Sequence, residues 1–413
     1  MKRKKKRVRL KLELGKILSI LIGITLLLIG VFLLITLLNN KEEVPDNEII
    51  ATDEESKEKL EDKEEVYELS LIMVGDMLVH DSLYKEANKL ANNNGYDFKP
   101  MLTYIKEIVK NYDLAYYNQE TILGGTSIGL SSYPSFNSPF EVGDAMIDAG
   151  FNIVSLATNH TLDRGIKAIE NTHNYWKDKD VYATGSYESM EKRNNIEIKE
   201  KNNITYAVLN YTYGTNGIKR KTGYESYVNI WDMSNKTSYE NYKEQVKEDI
   251  NSIRDKVDVL MVAMHWGTEY KFDTTWYQED CAKFLSDLNV DIIIGTHPHV
   301  VEPITWIDDT LVIYSLGNFL SAHEVVNVAN RVGLMSMINI KKEVKDEETI
   351  ITLNNLENEL IYTYHNNYKD FKVIPFSDND IHTYLSDAKT IYDKYKNIVT
   401  NLDNTIYVKE MAA

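Results

Sequence analysis

Short apolar runs alternate with longer stretches of helical periodicity from about residue 66 onward. The runs lie at residues 70–74, 114–117, 152–156, 257–264, 291–294 and 311–316, and each ends close to a Gly or a polar residue. Runs bounded in this way are typical of buried strands. Apolar residues recur at helical spacing in residues 84–109, 164–177 and 276–288. The alternation predicts an α/β domain with a largely parallel central sheet.

The last part of the chain continues this pattern with longer segments. Residues 331–341 and 349–376 are predicted to be further strands, and residues 380–402 a polar helix that closes the chain.

The start of the chain has a different character. The first sixteen residues carry nine Lys or Arg and one acid, and residues 17–38 are 22 uncharged, mostly aliphatic residues. That length spans a bilayer as a helix, and a positive flank stays in the cytoplasm. A cleaved signal peptide is the alternative interpretation, but Asn39, Asn40 and Lys41 offer no small-residue cleavage site. We therefore predict one uncleaved transmembrane helix, with everything after residue 38 outside the cell.

These features divide the chain into five regions. Residues 39–65 are highly charged and poor in aromatic residues, which is typical of a disordered, self-repelling tether. The predicted regions are a basic cytoplasmic tail (1–16), a transmembrane anchor (17–38), an acidic disordered linker (39–65), the main domain (66–376) and a helical tail (377–413).

Charge and cysteine content exclude several classes of function. The chain carries a net charge of −17, and because the first sixteen residues contribute +8, the remainder carries −25. A domain this acidic does not bind nucleic acid or anionic lipid through its bulk charge. Cys281 is the single cysteine and falls on the apolar stripe of a predicted helix, so it is expected to pack in the core. The sequence also lacks the glycine-rich phosphate loop, the nucleophile elbow and the dinucleotide fingerprint.

Candidate chemistry lies where the predicted strands end. Polar side chains follow five of the apolar runs, and ligands in open α/β sheets gather at the carboxyl ends of strands. These residues are Asp76, His80, Glu120, Asn159, His160, His265, His297 and His299. Imidazoles, carboxylates and an amide oxygen together suit zinc, manganese or iron, whereas calcium prefers an all-oxygen set. Because Glu120 could bridge two ions, the sequence predicts a centre with two divalent metal ions.

The order of the motifs resembles that of a known family. The motifs are G-D at 75–76, N-x-E at 118–120, T-N-H at 158–160, H-W-G-x-E at 265–269, G-x-H-P-H at 295–299, S-L-G-N-F at 315–319 and Y-x-D-F-K-V-I-P at 368–375. This series resembles the CapA family of capsule or poly-γ-glutamate biosynthesis proteins, which is related to the calcineurin-like metallophosphoesterases. The resemblance covers about residues 69–376.

The resemblance implies a calcineurin-like fold, in which a β sandwich is flanked by helices in an α/β/β/α arrangement and ligands lie on loops at one edge. It assigns the first metal to Asp76, His80 and His299. It assigns the second metal to Asn159, His265 and His297, with Glu120 as the bridge and His160 as proton donor to a leaving group.

Three positions in these motifs have an alternative or a supporting role. The wider superfamily spaces its first Asp and His as D-x-H, but three residues separate Asp76 from His80, so His80 could instead belong to the first turn of a helix. Glu269 could orient His265 or a neighbour by a hydrogen bond. Asn318 could satisfy backbone groups at its turn.

The function implied by the resemblance is participation in the synthesis or export of an anionic capsule polymer such as poly-γ-glutamate, by a membrane-anchored extracellular protein. Membrane-bound synthase or exporter subunits are the implied partners. Two alternatives remain: a metal-dependent hydrolase of phosphoesters or other cell-envelope esters or amides, and a non-catalytic scaffold on the same fold.

Overall fold

The computed structural model describes residues 3–7, 65–323, 327–345 and 348–413. The predicted transmembrane segment 17–38 and most of the predicted linker lie outside these residues. Within the described part of the chain, no helix is both long and apolar enough to cross a membrane.

The strands follow one another as β1 (Arg3–Arg7), β2 (Glu65–Leu78), β3 (Leu114–Gln119), β4 (Ile153–Ser155), β5 (Tyr182–Thr184), β6 (Lys199–Lys201), β7 (Ile204–Thr212), β8 (Val259–His265), β9 (Ile292–Thr296), β10 (Ile304–Ile307), β11 (Thr310–Ile313), β12 (Asn318–Ser321), β13 (Val332–Lys345), β14 (Glu348–Tyr364) and β15 (Lys372–Pro375). The α-helices are α1 (Asp81–Leu90), α2 (Thr103–Val109), α3 (Glu141–Asp148), α4 (Gly165–Trp176), α5 (Met190–Asn194), α6 (Lys236–Ile253), α7 (Trp276–Asp287), α8 (Ile381–Tyr384) and α9 (Ala388–Val399).

The strands form two sheets. The first runs in the order β1-β14-β13-β2-β3-β4-β5, with β12 beside β2 and β15 beside β14; the second runs β10-β11-β9-β8-β7-β6. Neighbours are parallel from β2 to β5 and from β7 through β8 and β9 to β11, whereas the pairs β6–β7, β10–β11 and β14–β15 are antiparallel. The prediction of an α/β domain is confirmed. The parallel strands, however, are shared between two sheets rather than placed in one central sheet.

The site and the main cores lie in one compact unit, formed mainly by Tyr67–Lys342 and Ile351–Ala413. The second unit is described only at residues 6–7, 65–66, 343–345 and 348–350. In the first unit, side chains from both sheets share a buried core, including Met73 and Tyr116 of the first sheet and Met261 and Ile294 of the second. Two sheets that share a core in this way form a sandwich.

Helices cover the outer face of each sheet. Leu83 of α1 and Met146 of α3 pack with Val74 and Val154 on the first sheet. Val246 of α6 and Cys281 of α7 belong to the core on the far side of the second sheet. Cys281 is fully buried, as predicted. Strands covered on both faces must be apolar throughout, which explains the continuous apolar runs in the sequence.

Several predicted boundaries are wrong. The helix predicted over residues 84–109 ends at Leu90. The chain contains Gly95 and Pro100 before it forms a 3-10 helix at Lys99–Leu102 and then α2 from Thr103. The strand predicted over 311–316 ends at Ile313. Asn318 then begins β12 in the other sheet, after Gly317 turns the chain with φ of 65°. The segment 349–376 is two strands, and the closing helix is split between α8 and α9.

Two glycines allow the close contacts that bring the strand ends together. A Cβ atom on Gly75 would lie 1.8 Å from the carbonyl oxygen of Gly317, and one on Gly295 would lie 1.9 Å from that of Tyr314. Any larger residue would therefore push β2 from β12, or β9 from β11.

Candidate metal centre

The polar side chains gather at the carboxyl ends of strands from both sheets. Asp76 lies within β2 next to a register shift, and Glu120 directly follows β3. His265 is the last residue of β8, and His297 follows β9. The remaining candidates are Asn159 and His160 after β4, His299 after β9 and Asn318 at the start of β12. Parallel strands deliver these residues to one place because their carboxyl ends share an edge.

Glu120 occupies the middle of this group. Its Oε2 atom is 3.7 Å from Nδ1 of His299, and its Oε1 atom is 3.8 Å from Nε2 of His265. One ligand atom each from Glu120, His297 and His299 lie within 4.8 Å of one another, and all three residues are buried. The carboxylate therefore faces a different histidine with each oxygen.

The loop after β9 holds its two histidines in strained backbone conformations. His297 has φ of 98° and His299 has φ of 59°, a region that side-chain-bearing residues rarely adopt. The N–H of His297 donates to Oδ2 of Asp76 at 3.1 Å, which fixes the loop to β2. Strain of this kind costs about 1–3 kcal/mol per residue and is concentrated at functional sites. The strain at His297 and His299 therefore indicates that the loop has a functional role, which its side chains provide.

One side of Glu120 is a network around His265. The Nε2 atom of His265 lies 2.9 Å from Oδ1 of Asn159, and the Nδ1 atom of the same ring lies 3.0 Å from Oγ1 of Thr296. Asn118 is next to the same ring and donates from Nδ2 to Oδ1 of Asp76 at 2.7 Å. Ser155 in turn donates to Asn118 Oδ1 at 2.6 Å. These contacts fix the orientation of the imidazole and of the amides beside it.

The other side of Glu120 is formed by His299 and Asp76. Nδ1 of His299 is 3.6 Å from Oδ2 of Asp76 and 3.1 Å from Oδ1 of Asn318. Asn318 Nδ2 also donates to the carbonyl oxygens of His299 and Asn330, at 3.3 and 2.8 Å. Asn318 therefore does more than satisfy its own turn, because it holds both the backbone and the ring of His299.

His160 forms a pair with an acid that the sequence analysis did not identify. Its Nδ1 atom is 2.7 Å from Oδ2 of Asp163, whose side chain is only 2% exposed. The same oxygen accepts the N–H of Phe136 at 2.8 Å, and the Phe136 ring packs against the imidazole at 4.7 Å between centroids. The acceptor on Nδ1 fixes the orientation of the buried imidazole ring.

His80 and Glu269 border this network, and the charge of Glu269 helps to raise the pKa of Glu120 and of His299. Nδ1 of His80 contacts the carbonyl oxygen of Leu78 and the N–H of Ala322, both at 3.2 Å, and its ring is next to His323. His80 directly precedes α1 and, like Asp76 and His265, lies outside the close group of Glu120, His297 and His299. Glu269 is exposed, while the ring nitrogens of His265 contact Asn159 and Thr296.

Burial and mutual charge set the protonation of the site. Burial raises the pKa of Glu120 well above its ordinary value, and it lowers the pKa of His265 and of His297 well below theirs. For His299, burial opposes the charged form, but the carboxylates of Glu120 and Asp76 outweigh it and raise the pKa to about 9. His265 and His297 are thus neutral and able to bind a metal at physiological pH, whereas a cation would displace protons from Glu120 and His299.

The residues fit a divalent metal ion. Both carboxylate oxygens of Glu120 and Nδ1 of His297 are buried without a hydrogen-bond partner among the described residues. Buried polar atoms are almost always satisfied, and a buried carboxylate without a cation is costly. A cation bound between Glu120, His297 and His299 would satisfy these atoms. Mixed nitrogen and oxygen donors suit zinc, manganese or iron.

Sequence reasoning assigned no role to several residues that support the site, among them Thr296 and Ser155. Asn118 lay in a quoted motif but was given no role, and Asp163 follows the T-N-H motif by three residues, a spacing that could have identified it. Asn216 contacts both Asn159 and His160 from a loop with no recognisable pattern, at 3.3 and 3.4 Å. His323 lies beyond the last motif of its segment, with its ring 5.0 Å from that of His299.

Fold and site together define a mixed α/β sandwich with a candidate divalent-metal centre at the strand ends. The model of the bacterial capsule synthesis protein family PGA_cap matches residues 70–323. The chain belongs to this family, and the resemblance seen in the sequence is confirmed.

Two curated relatives carry related descriptions. The capsule biosynthesis protein CapA of Bacillus anthracis is 26% identical over 266 residues, which is 61% of this chain and 59% of that protein. The PGA biosynthesis protein CapA of Bacillus subtilis (strain 168) is 28% identical over 183 residues, covering 42% and 43% of the two chains. The chain thus matches between two fifths and three fifths of the length of these relatives.

Among solved structures, the 5'-nucleotidase of Candida albicans SC5314 is similar, with a TM-score of 0.35 and 12% identity over 65% of this chain and 47% of the other. That TM-score is too low to support an inference about this protein.

Proposed function

We propose that this protein is a membrane-anchored, extracellular metalloprotein that takes part in the synthesis or export of an anionic capsule polymer such as poly-γ-glutamate. Family membership supports the part in capsule synthesis. The observation that carries the metal centre is the buried Glu120, whose two oxygens lack hydrogen-bond partners within the described structure. The anchor is the apolar segment 17–38, and the partners are membrane-bound synthase or exporter subunits.

Two divalent ions would be held on the two sides of Glu120. Asp76 and His299 would hold the first and Asn159, His265 and His297 the second; the contacts of His80 with Leu78 and Ala322 favour a place beside the site rather than in it. When bound, such a pair supplies Lewis acidity and a hydroxide ion near neutral pH. The chain itself contributes the orientation of these ligands by Asn118, Asn318 and Thr296.

A second candidate function, hydrolysis of a phosphoester or another cell-envelope ester or amide, is favoured by the His160–Asp163 pair. The Asp163 carboxylate fixes the imidazole through Nδ1, so Nε2 can hold a proton for a departing oxygen or nitrogen. A scaffold without chemistry has no need of a buried, oriented imidazole of this kind.

The test is complementation of a deletion strain. We expect the wild-type gene to restore surface polymer, and Glu120→Gln to fail at equal protein level because the amide cannot replace the ligand charge. Glu302→Gln is the matched control, since Glu302 is also a buried acid and lies three residues from His299. Full polymer with Glu120→Gln would contradict a metal-dependent role, and unchanged polymer on deletion would contradict the role in capsule synthesis.

A further inference from the structure

Two cavities meet beside the metal centre and form one groove. A cavity of about 540 Å³ is lined by Tyr133, Glu269, Tyr270 and His323, and one of about 500 Å³ by residues that include Lys85, Lys89 and Lys369. His80 lines both cavities. Ser132 and Ala322 line the second cavity, and the residues that follow them in the chain line the first. We call the joined space the His80 groove.

One end of the His80 groove lies against the candidate metal centre. The ring centroid of Tyr270 is 5.7 Å from that of His299, and the ring of His323 is 5.0 Å from the same imidazole. A ligand that fills this end therefore contacts the two rings, Tyr270 and His323, that lie beside His299.

Tyr270 is held at this end at an energetic cost. Its φ of 62° lies in the left-handed region, and its N–H donates to the carbonyl oxygen of Pro298 at 2.8 Å. Tyr270 is nevertheless 48% exposed, and Tyr133 is 70% exposed. Strain at an exposed aromatic residue contributes nothing to the core, which indicates that the Tyr270 ring is placed for a ligand in the groove.

The other end of the His80 groove is cationic relative to the rest of the protein. Three lysines face two acids there, although the whole chain has a net charge of −17. Lys85 contacts Asp81, and Lys89 lies 3.9 Å from Glu86. The ammonium groups of these pairs are well exposed, so the pairs contribute little stability and can exchange for another carboxylate.

We propose that the His80 groove binds an anionic polyamide chain, with the three lysines contacting carboxylates several residues away from the unit at the metal centre. The rings of Tyr133 and Tyr270 pack on the methylene groups of the chain near the centre. This inference rests on the proposed function and adds the path that the polymer follows. It also explains how an acidic protein can hold an acidic polymer, because the three lysines balance Asp81, Glu86 and Glu269 in the lining and leave this path without net negative charge.

Binding of fluorescently labelled poly-γ-glutamate to the full-length protein in detergent tests this path. The groove variant is Lys85→Gln, Lys89→Gln and Lys369→Gln combined. The control variant combines Lys110→Gln, Lys256→Gln and Lys283→Gln, because these lysines lie outside both cavities and two of them also pair with a nearby acid on their own segment. We expect the groove variant to bind about tenfold more weakly or worse, with a shallower salt dependence, and the control to change less than about twofold.

The possible outcomes distinguish a failure of the proposed groove from a failure of the proposed function. Equal losses in the two variants, or no binding by the wild type at low salt, would overturn the groove. Polygalacturonate bound with the same affinity and the same dependence on the groove lysines would overturn the choice of a polyamide. The proposed function would survive either result if Glu120→Gln still failed to restore surface polymer.

Discussion

Two buried acids in this protein, Asp291 and Glu120, have different hydrogen-bond and ion-pair partners. Asp291 precedes β9, and its Oδ2 atom accepts from the Arg254 guanidinium at 2.6 Å and from the N–H of Leu260 at 2.8 Å. Glu120 follows β3 with a side chain that is 0% exposed, and its oxygens lack hydrogen-bond partners within the described structure. The fold pairs the first acid with a permanent cation, Arg254, whereas the second acid faces only histidines, whose protons a metal ion can displace. The difference indicates that Asp291 is structural and that Glu120 receives its cation from solution.

The largest effect on the metal centre is expected from Glu120→Gln. Loss of the charge that faces both His265 and His299 is expected to weaken zinc or manganese affinity by more than about 100-fold, beyond the usual effect of changing a residue that only orients a ligand. The metal-free variant is expected to be about as stable as the metal-free wild type, because burial favours the protonated form of Glu120 and an amide replaces a neutral carboxyl group closely. Calorimetric titration and thermal unfolding measure the two quantities. If the metal-free variant were markedly less stable, Glu120 would be a structural acid like Asp291.

Arg254→Met is expected to have the opposite profile. It leaves the Asp291 carboxylate buried without its cation, at a cost of about 3–5 kcal/mol in the free energy of unfolding. Metal content per folded chain is expected to stay at the wild-type level. Urea unfolding gives the first quantity and elemental analysis the second. A loss below about 1 kcal/mol would show that the ion pair is not what makes burial of Asp291 tolerable.

Asp163→Asn is expected to have an intermediate effect, which lowers turnover but leaves metal content unchanged. The amide can still accept a hydrogen bond from His160, but it cannot stabilise the imidazolium. Turnover of a chromogenic phosphoester, if the protein shows it, is expected to fall about 10–100-fold with a changed pH profile and unchanged metal content. Unchanged turnover and pH profile would exclude His160 as proton donor.

Glu302→Gln is expected to have the smallest effect. Burial raises the pKa of Glu302 to about 8, and Gln278 donates to its Oε2 atom at 2.6 Å. The acid is thus mostly protonated at neutral pH, and an amide replaces it closely; at pH 5 we expect a change in unfolding free energy below about 1 kcal/mol.

The pH dependence provides a check on Glu302. Because its folded pKa lies above the ordinary value near 4.5, the wild type loses stability as the pH rises from there to about 8. The difference in Tm should therefore shift in favour of the variant between pH 5 and pH 9. A constant difference would show that Glu302 ionises normally.

Of the two buried acids, the sequence allowed only Glu120 to be recognised as a candidate ligand, and it gave no sign of the ion pair of Asp291. Glu120 could be identified because it follows an apolar run, and parallel strands place such residues together. The partner of Asp291 could not, because Arg254 is 37 residues away and no local pattern joins them. Asn216 and His323 were missed for the same reason, since tertiary contacts alone bring them to the site.

The fold shows the same limit. Apolar runs predicted most strands, but the division into two sheets depends on pairing between distant segments. The turn at Gly317 moves the chain from β11 in one sheet to β12 in the other, so the strand predicted over residues 311–316 ends early and β12 follows beyond it. The layered arrangement came only from the family resemblance.

The central claim is that the cation of Glu120 is a bound metal, and elemental analysis of the purified full-length protein tests it most directly. We expect about two transition-metal ions per chain in the wild type, and a clear fall in both Glu120→Ala and His297→Ala. Glu302→Gln, as the matched buried acid, should retain the wild-type content. A folded wild type that binds no metal even after reconstitution would contradict the account.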